Sequence, residues 1–168
     1  MRSRVDLTAL RSLIGGARRR RLQIGWSQET LARHAGLHRN TVRLLESGDV
    51  DPSATTTVRL LVAVGASGFC VCDTCALPCF GQALDTDRAD VDALCGQLGP
   101  AIRALRERIG WTIEHLAEQS NVHHNSVGMI ERSEVHTETS TLIRLLRALD
   151  VNRLGWEPDA CATRLRLH

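Results

Sequence analysis

GWSQETLARHAGLHRNTVRLLE (residues 25–46) decides the fold, because the chain writes it a second time. Shifted by 85 residues, it lies without a gap over GWTIEHLAEQSNVHHNSVGMIE, residues 110–131. Gly25, Trp26, Leu31, Ala32, His38, Asn40, Val42 and Glu46 recur as Gly110, Trp111, Leu116, Ala117, His123, Asn125, Val127 and Glu131. The register continues downstream, where Arg59, Leu60, Leu61 and Ala63 match Arg144, Leu145, Leu146 and Ala148. Upstream, Arg18 and Arg21 match Arg103 and Arg106. The chain is a duplicated unit of about 55–60 residues, not a solenoid of many repeats.

Helix signals fill each copy. Residues 17–24 read as a basic amphipathic helix that stops near Gly25. Ser27 suits the N-cap of a helix over 28–35, and Gly36 ends it by taking a left-handed backbone at low cost. A third helix follows over 39–46, just after His38. Ser47-Gly48-Asp49 and Asp51-Pro52-Ser53 mark a loop, and Val58, Leu61 and Val62 stripe a last helix over 54–65. In the second copy Pro100 opens the first helix, Thr112 caps the next, and Asn121 replaces Gly36. Strand signals are nearly absent from both copies, so the expected fold class is all-α.

Ala32, Gly36, Val42 and Leu45 stand at the spacing of a helix-turn-helix, repeated as Ala117, Asn121, Val127 and Ile130. Two helices crossing steeply after a tight turn need a small residue at the crossing. They also need a left-handed residue in the turn and apolar residues on the inner face of the second helix. On these residues, and on WSQETLARHAGLHRNTVRLLESG followed by a Pro-containing loop and TVRLLVAV, both copies resemble the Cro/CI-type (Xre-like) helix-turn-helix domain. The resemblance covers residues 13–65 and 98–150. It implies two tandem lambda-repressor-like bundles of about five helices each, joined by a Cys-rich connector, with the third helix entering the DNA major groove.

Site roles follow from the resemblance. Gln28 matches a Gln that contacts the DNA backbone, and Arg39, Asn40 and Arg43 match positions that face base edges. The chemistry agrees, since Arg pairs bidentately with guanine and Asn with adenine, each contact worth ~1–3 kcal/mol of discrimination. Thr41 suits a phosphate or a thymine methyl. Arg18 and Arg19, with Arg20, are candidates for phosphate contact. Arg21–Glu46 and Arg106–Glu131 match a structural ion pair and are set apart from the reading set. In the second copy Gln28 becomes Ile113, Arg39 becomes His124 and Arg43 becomes Gly128, while Asn125 survives. His123, His124 and Asn125 still stand where readers stand. That copy therefore either reads another or looser half-site, or serves packing and dimerisation.

Charge supports a nucleic-acid partner at one end. The 168 residues carry a net charge of only +2, but residues 1–65 hold 11 Arg against five acids. Residues 66–97 hold one Arg against five Asp, and residues 98–168 balance nine against nine. A local basic face is how a phosphate-binding surface looks in sequence. No apolar run is long enough to span a membrane, and the start lacks the apolar stretch of a signal peptide. A cytoplasmic, nucleoid-associated protein is expected. There is no H-E-x-x-H, P-loop or G-x-S-x-G in context, so no enzyme is expected.

The connector holds FCVCDTCALPCF, residues 69–80, with Cys70, Cys72, Cys75 and Cys79. In a reducing compartment such clustering suits a metal or redox chemistry better than structural disulfides. Four thiolates would hold zinc or carry an iron–sulfur cluster. Cys70 as a buried residue of an extended GFCV segment is the plain alternative. Asp85, Asp87, Asp90 and Asp92 cap and solvate a helix over about 87–97.

The domain reading is 1–67 for the first helix-turn-helix unit, 68–96 for the Cys-rich connector and its helix, 97–154 for the second unit and 155–168 for a tail. The functional expectation is a sequence-specific transcriptional regulator of phage, mobile-element or bacterial origin, acting as a repressor. Its partners would be a double-stranded DNA operator, a second copy in a homodimer, and RNA polymerase or an antagonist protein. A metal- or redox-responsive regulator and an interaction adaptor are the alternatives.

Overall fold

The four turns of each copy share one backbone conformation even where their residues differ. Gly25, Gly36, Gly48 and Gly65 are left-handed, with φ between 61° and 80°. Their counterparts Gly110, Asn121, Ser133 and Asp150 are left-handed too, at 75°, 52°, 57° and 56°. That conformation costs a non-glycine residue roughly 1–2 kcal/mol, less for Asn or Asp. The duplicated fold has kept its turns after losing three of its glycines.

The computed structural model describes residues 4–71, 76–80, 88–158 and 163–167. The first copy comprises α1 (Arg4–Gln23), α2 (Gln28–Ala35), α3 (Arg39–Ser47) and α4 (Ala54–Ala63), followed by β1 (Ala66–Val71) and β2 (Ala76–Phe80). The second comprises α5 (Arg88–Gly96), α6 (Leu98–Arg108), α7 (Ile113–Ser120), α8 (His124–Glu131) and α9 (Thr139–Ala148), then β3 (Arg153–Pro158) and β4 (Thr163–Leu167).

Four sequence expectations change here. The first helix begins at Arg4 rather than near residue 17, because Leu10, Leu13, Ile14 and Ala17 form one buried stripe along it. In the 85-residue register α1 covers what α5 and α6 share, so the helix expected over 87–97 belongs to the second unit's bundle. Pro100 sits in the first turn of α6 rather than at its opening, a place where its missing N–H leaves no bond unmade. The fourth change is a four-stranded antiparallel sheet, in the order β2-β1-β3-β4, where strand signals had looked nearly absent. The connector supplies β2 and most of β1, and residues assigned to the tail supply β4 and part of β3.

The two copies dock about a pseudo-two-fold axis. Phe69 pairs with Leu154 across β1 and β3, and Ser53 pairs with Glu138 in an isolated bridge; each pair joins residues 85 apart. The Ala54 N–H donates to the Thr137 carbonyl at 2.7 Å, and its image, the Thr139 N–H, donates to the Pro52 carbonyl at 2.8 Å. Helix α1 packs on α9 as α5 packs on α4. An interface in which each surface meets its own copy is the isologous geometry of a two-fold dimer. Here both halves belong to one chain.

Polar groups fix this interface at its centre. Thr57 and Thr139, both buried, share a hydroxyl hydrogen bond of 2.7 Å, and the Thr139 hydroxyl also donates to the Pro52 carbonyl at 2.9 Å. Gly68 lets β3 come close: a Cβ there would collide with the Leu154 carbonyl and Gly155. Phe69, Val71 and Ala76 are buried on the inner face, with Pro78 seated against Gly16 of α1. A Cβ on Gly16 would lie 2.5 Å from Pro78 Cδ. Apolar side chains from both copies make one continuous core.

Candidate nucleic-acid interface

Each reading unit is held by the same ion pair. Arg21 Nε and Nη2 donate to the Glu46 carboxylate at 2.6 and 2.8 Å, while Nη1 donates to the Trp26 carbonyl at 2.7 Å. Arg106 repeats all three bonds to Glu131 and Trp111 at 2.6, 2.8 and 2.7 Å. One guanidinium thus ties the first helix, the following turn and the third helix together. Burial pushes the Glu46 carboxyl up, but hydrogen bonds from Arg21 and Gln28 outweigh it and hold it below the ordinary carboxylate range. The pairs read as structural in sequence are structural in space.

Capping sets the angle at which α3 and α8 leave their turns. The Ser27 hydroxyl accepts from the Thr30 N–H at 3.0 Å, and Thr112 accepts from His115 at 3.1 Å. Gly36 and Asn121 close α2 and α7. His38 Nδ1 accepts from the Asn40 N–H at 3.2 Å, as His123 Nδ1 accepts from Asn125 at 3.3 Å. This capping role was not read from sequence, where His38 only preceded the helix and His123 was a candidate reader. The cap fixes which ring nitrogen of His123 stays free, and that ring lies 4.4 Å from the ring of His124.

The outer face of α3 presents Arg39, Asn40 and Arg43, all exposed, with Thr41 half-buried. Val42 and Leu45 are buried behind them, as the helix-turn-helix spacing requires. Arg39 lies 3.9 Å from Glu29 across the turn, with both side chains largely exposed, a weak contact that a phosphate or base can replace. Gln28 Nε2 donates to Glu46 at 2.8 Å, so its amide joins the ion-pair network from the start of α2. Arg18 and Arg19 are exposed on α1. Arg20 departs from them. It stands over the Phe80 ring at 5.4 Å and leans on the sheet, which sets it apart as a phosphate candidate.

The corresponding face of α8 is blunt. His124 and Asn125 are exposed, but Gly128 is buried and the Arg132 guanidinium covers it, 3.2 Å from where a Cβ would stand. Arg132 is itself held by Glu134 at 2.7 and 3.0 Å. Half-buried Ile113 occupies the place of Gln28 and brings no donor. Both faces have the same scaffold; the first presents the exposed cations Arg39 and Arg43 where the second presents His124 and Gly128.

The cysteines divide. Cys70 stands opposite Leu77 and Arg153, and Cys79 opposite Gly68, so both lie on the outer face of the sheet. Their thiols are in hydrogen-bond contact, and burial together with Cys70 pushes the Cys79 thiol up to about 12. Cys72 and Cys75 lie outside the described residues. Among the described residues no three His, Cys, Asp or Glu side chains cluster as a metal site, and no helix is long and apolar enough to cross a membrane.

A helix-turn-helix domain family model matches residues 16–68, and a helix-turn-helix family model matches residues 102–156. No curated protein and no solved structure matches the chain. The chain carries two tandem helix-turn-helix domains of the Cro/CI (Xre-like) type, and it is a DNA-binding regulator.

Proposed function

We propose that this tandem pair acts as a built-in dimer on an unequal operator and represses transcription by occupying it. The observation that carries the reading is the pseudo-two-fold interface between copies whose reading faces differ. Helix α3 enters the major groove of one half-site, where Arg39, Asn40 and Arg43 read bases and Arg18 and Arg19 meet phosphates. Helix α8 lies over the other half-site and contacts it through His123, His124 and Asn125, with less base discrimination. Phosphate contacts position such a protein, and base contacts specify its sequence. RNA polymerase is then met by exclusion from an overlapping promoter, with no dedicated contact.

Genomic footprinting of the purified chain should give sites with one well-defined half and one degenerate half. Replacing Arg39 and Asn40 together by Ala should abolish specific binding while helicity stays unchanged. A footprint with two equally defined halves, or unchanged binding in the double variant, is incompatible with this reading.

A second reading, a metal- or thiol-responsive regulator, is favoured by the Cys70–Cys79 contact on the open face of β1 and β2. Cys72 and Cys75 complete in sequence a set that would hold zinc or an iron–sulfur cluster. Metal analysis and visible absorbance of anaerobically purified protein test the metal form. For the thiol form, operator affinity should differ between reduced and diamide-treated protein and lose that difference in Cys70→Ser. Metal-free protein with identical affinities would remove this reading.

A further inference from the structure

The interface between the two copies is filled at one end and open at the other. At the filled end, α1 lays Leu10, Leu13 and Ile14, all buried, beside α9, and the Asp51 carboxylate accepts from the Ser140 N–H and hydroxyl at 3.2 and 2.6 Å. In the 85-residue register the images of Leu7, Leu10, Arg11 and Ile14 are Asp92, Cys95, Gly96 and Gly99. Asp51 and Ser140 become His136 and Thr55. Large side chains on one side have become small ones on the other. A cleft of about 290 Å³ lies there, bounded by α4 of the first copy and by α5, α6 and the α8–α9 loop of the second. Gly99 itself is required by the approach of α6 to the Ile130 carbonyl, whereas the space around Gly96 is open.

We propose that this cleft binds a small uncharged organic effector with an apolar body and one carbonyl-type acceptor. Its walls are mainly apolar, including Leu98, Ile130 and Val135. Arg59 Nη2 is spent on Asp92 at 2.5 Å, which balances that pair of charges and leaves His136 as the other basic group among the described lining residues. Arg59 Nε, by contrast, is buried without a hydrogen-bond partner, and a small shift of the guanidinium toward the cleft would bring this donor within reach of an acceptor there. The Cys95 thiol, pushed up by burial and bonded to Thr55, stays neutral and adds soft apolar surface. The volume admits a molecule on the order of ten non-hydrogen atoms, taking the ~30 Å³ that one water occupies in the liquid.

Position gives the site its effect. The cleft is walled by both copies, so a ligand in it favours the arrangement of the two domains that best encloses it. It shifts operator affinity by its differential affinity for that arrangement. This regulatory half rests on the operator reading above; the binding half does not.

The test uses the full chain, with coumarin as a neutral carbonyl-bearing probe and benzoate as its anionic counterpart. Nuclear magnetic resonance should show saturable coumarin-dependent shifts of the Arg59 Nε–H and of the Cys95 and Gly96 amides, with benzoate at least tenfold weaker. Cys95→Leu, which restores the residue of the filled end, should abolish the shifts without loss of helicity. Gly96→Leu, placed in open space, serves as a second filling variant. Coumarin should also change operator affinity at least threefold in the parent chain and in neither filling variant. Absence of saturable shifts at these residues, shifts that persist in both variants, or binding without any change in operator affinity would each overturn the proposal. Failure of the apo chain to bind an operator would instead sink the operator reading and leave the shifts to decide the binding half.

Discussion

The first and second reading units differ far more on their outer faces than in their frames. The buried ion pair repeats to within a tenth of an ångström, and the left-handed turns repeat even where glycine has been replaced. On the outside, two of three readers are gone, and the space left by Arg43 is roofed by Arg132. A frame stabilised by buried contacts tolerates little change, while an exposed side chain can be exchanged without unfolding anything. The difference therefore separates what holds the fold from what selects a sequence.

The sharpest way to break that comparison is to attack the shared frame. Glu46→Ala should cost about 3–5 kcal/mol, because it leaves a buried guanidinium without its carboxylate, and Glu131→Ala somewhat less, because Glu107 still stands 3.6 Å from Arg106. Chemical denaturation checks this, and a large disparity between the two would mean that the frames are not equivalent. Acid gives a second reading of the same pair. The Glu46 carboxyl titrates below its ordinary value of 4.5 in the folded chain. Its contribution is therefore present above that value and is lost as pH falls through the folded pKa. Glu46→Gln should flatten stability against pH below about 4.5.

The outer faces offer a gain-of-function test of intermediate size. Installing the first copy's readers in the second, as His124→Arg with Gly128→Arg, should add ~1–3 kcal/mol per new base contact on a symmetrised operator. Arg132 must move aside for the second substitution, so His124→Arg alone is the cleaner arm. Gel-shift titration against the natural and symmetrised sites measures the change. An equal effect on both sites would place α8 away from bases. The smallest effect is expected at the turns. Asp150→Gly relieves a left-handed aspartate and should stabilise the chain by up to about 1 kcal/mol, visible as a raised Tm.

Much of the fold was readable because helix-turn-helix signals are local. Ser27, Gly36, Thr112 and Asn121 act within a few residues of themselves, and each sits where its chemistry placed it. The exposed face of α3 was equally readable, since helical spacing alone sorts Arg39, Asn40 and Arg43 from Val42 and Leu45. What stayed hidden depends on distant partners. Strand β1 is short and finds β3 only across the duplication, so no local pattern announces it. The first half of α1 was masked by Gly15-Gly16, a helix-weakening pair whose second member makes room for Pro78. Arg20 belongs to the same class, since only the sheet explains why it leans away from its neighbours Arg18 and Arg19.

The pairing of Phe69 with its own counterpart Leu154 has a consequence for dosage. Separate subunits of a two-fold regulator must meet before they bind, and on dilution they part. Here the second half is tethered to the first, at an effective concentration on the order of millimolar for a short linker. Assembly of this pair is therefore independent of how much protein the cell contains. On the operator reading proposed above, occupancy by one such chain would rise with the first power of its concentration, giving a graded response instead of a threshold.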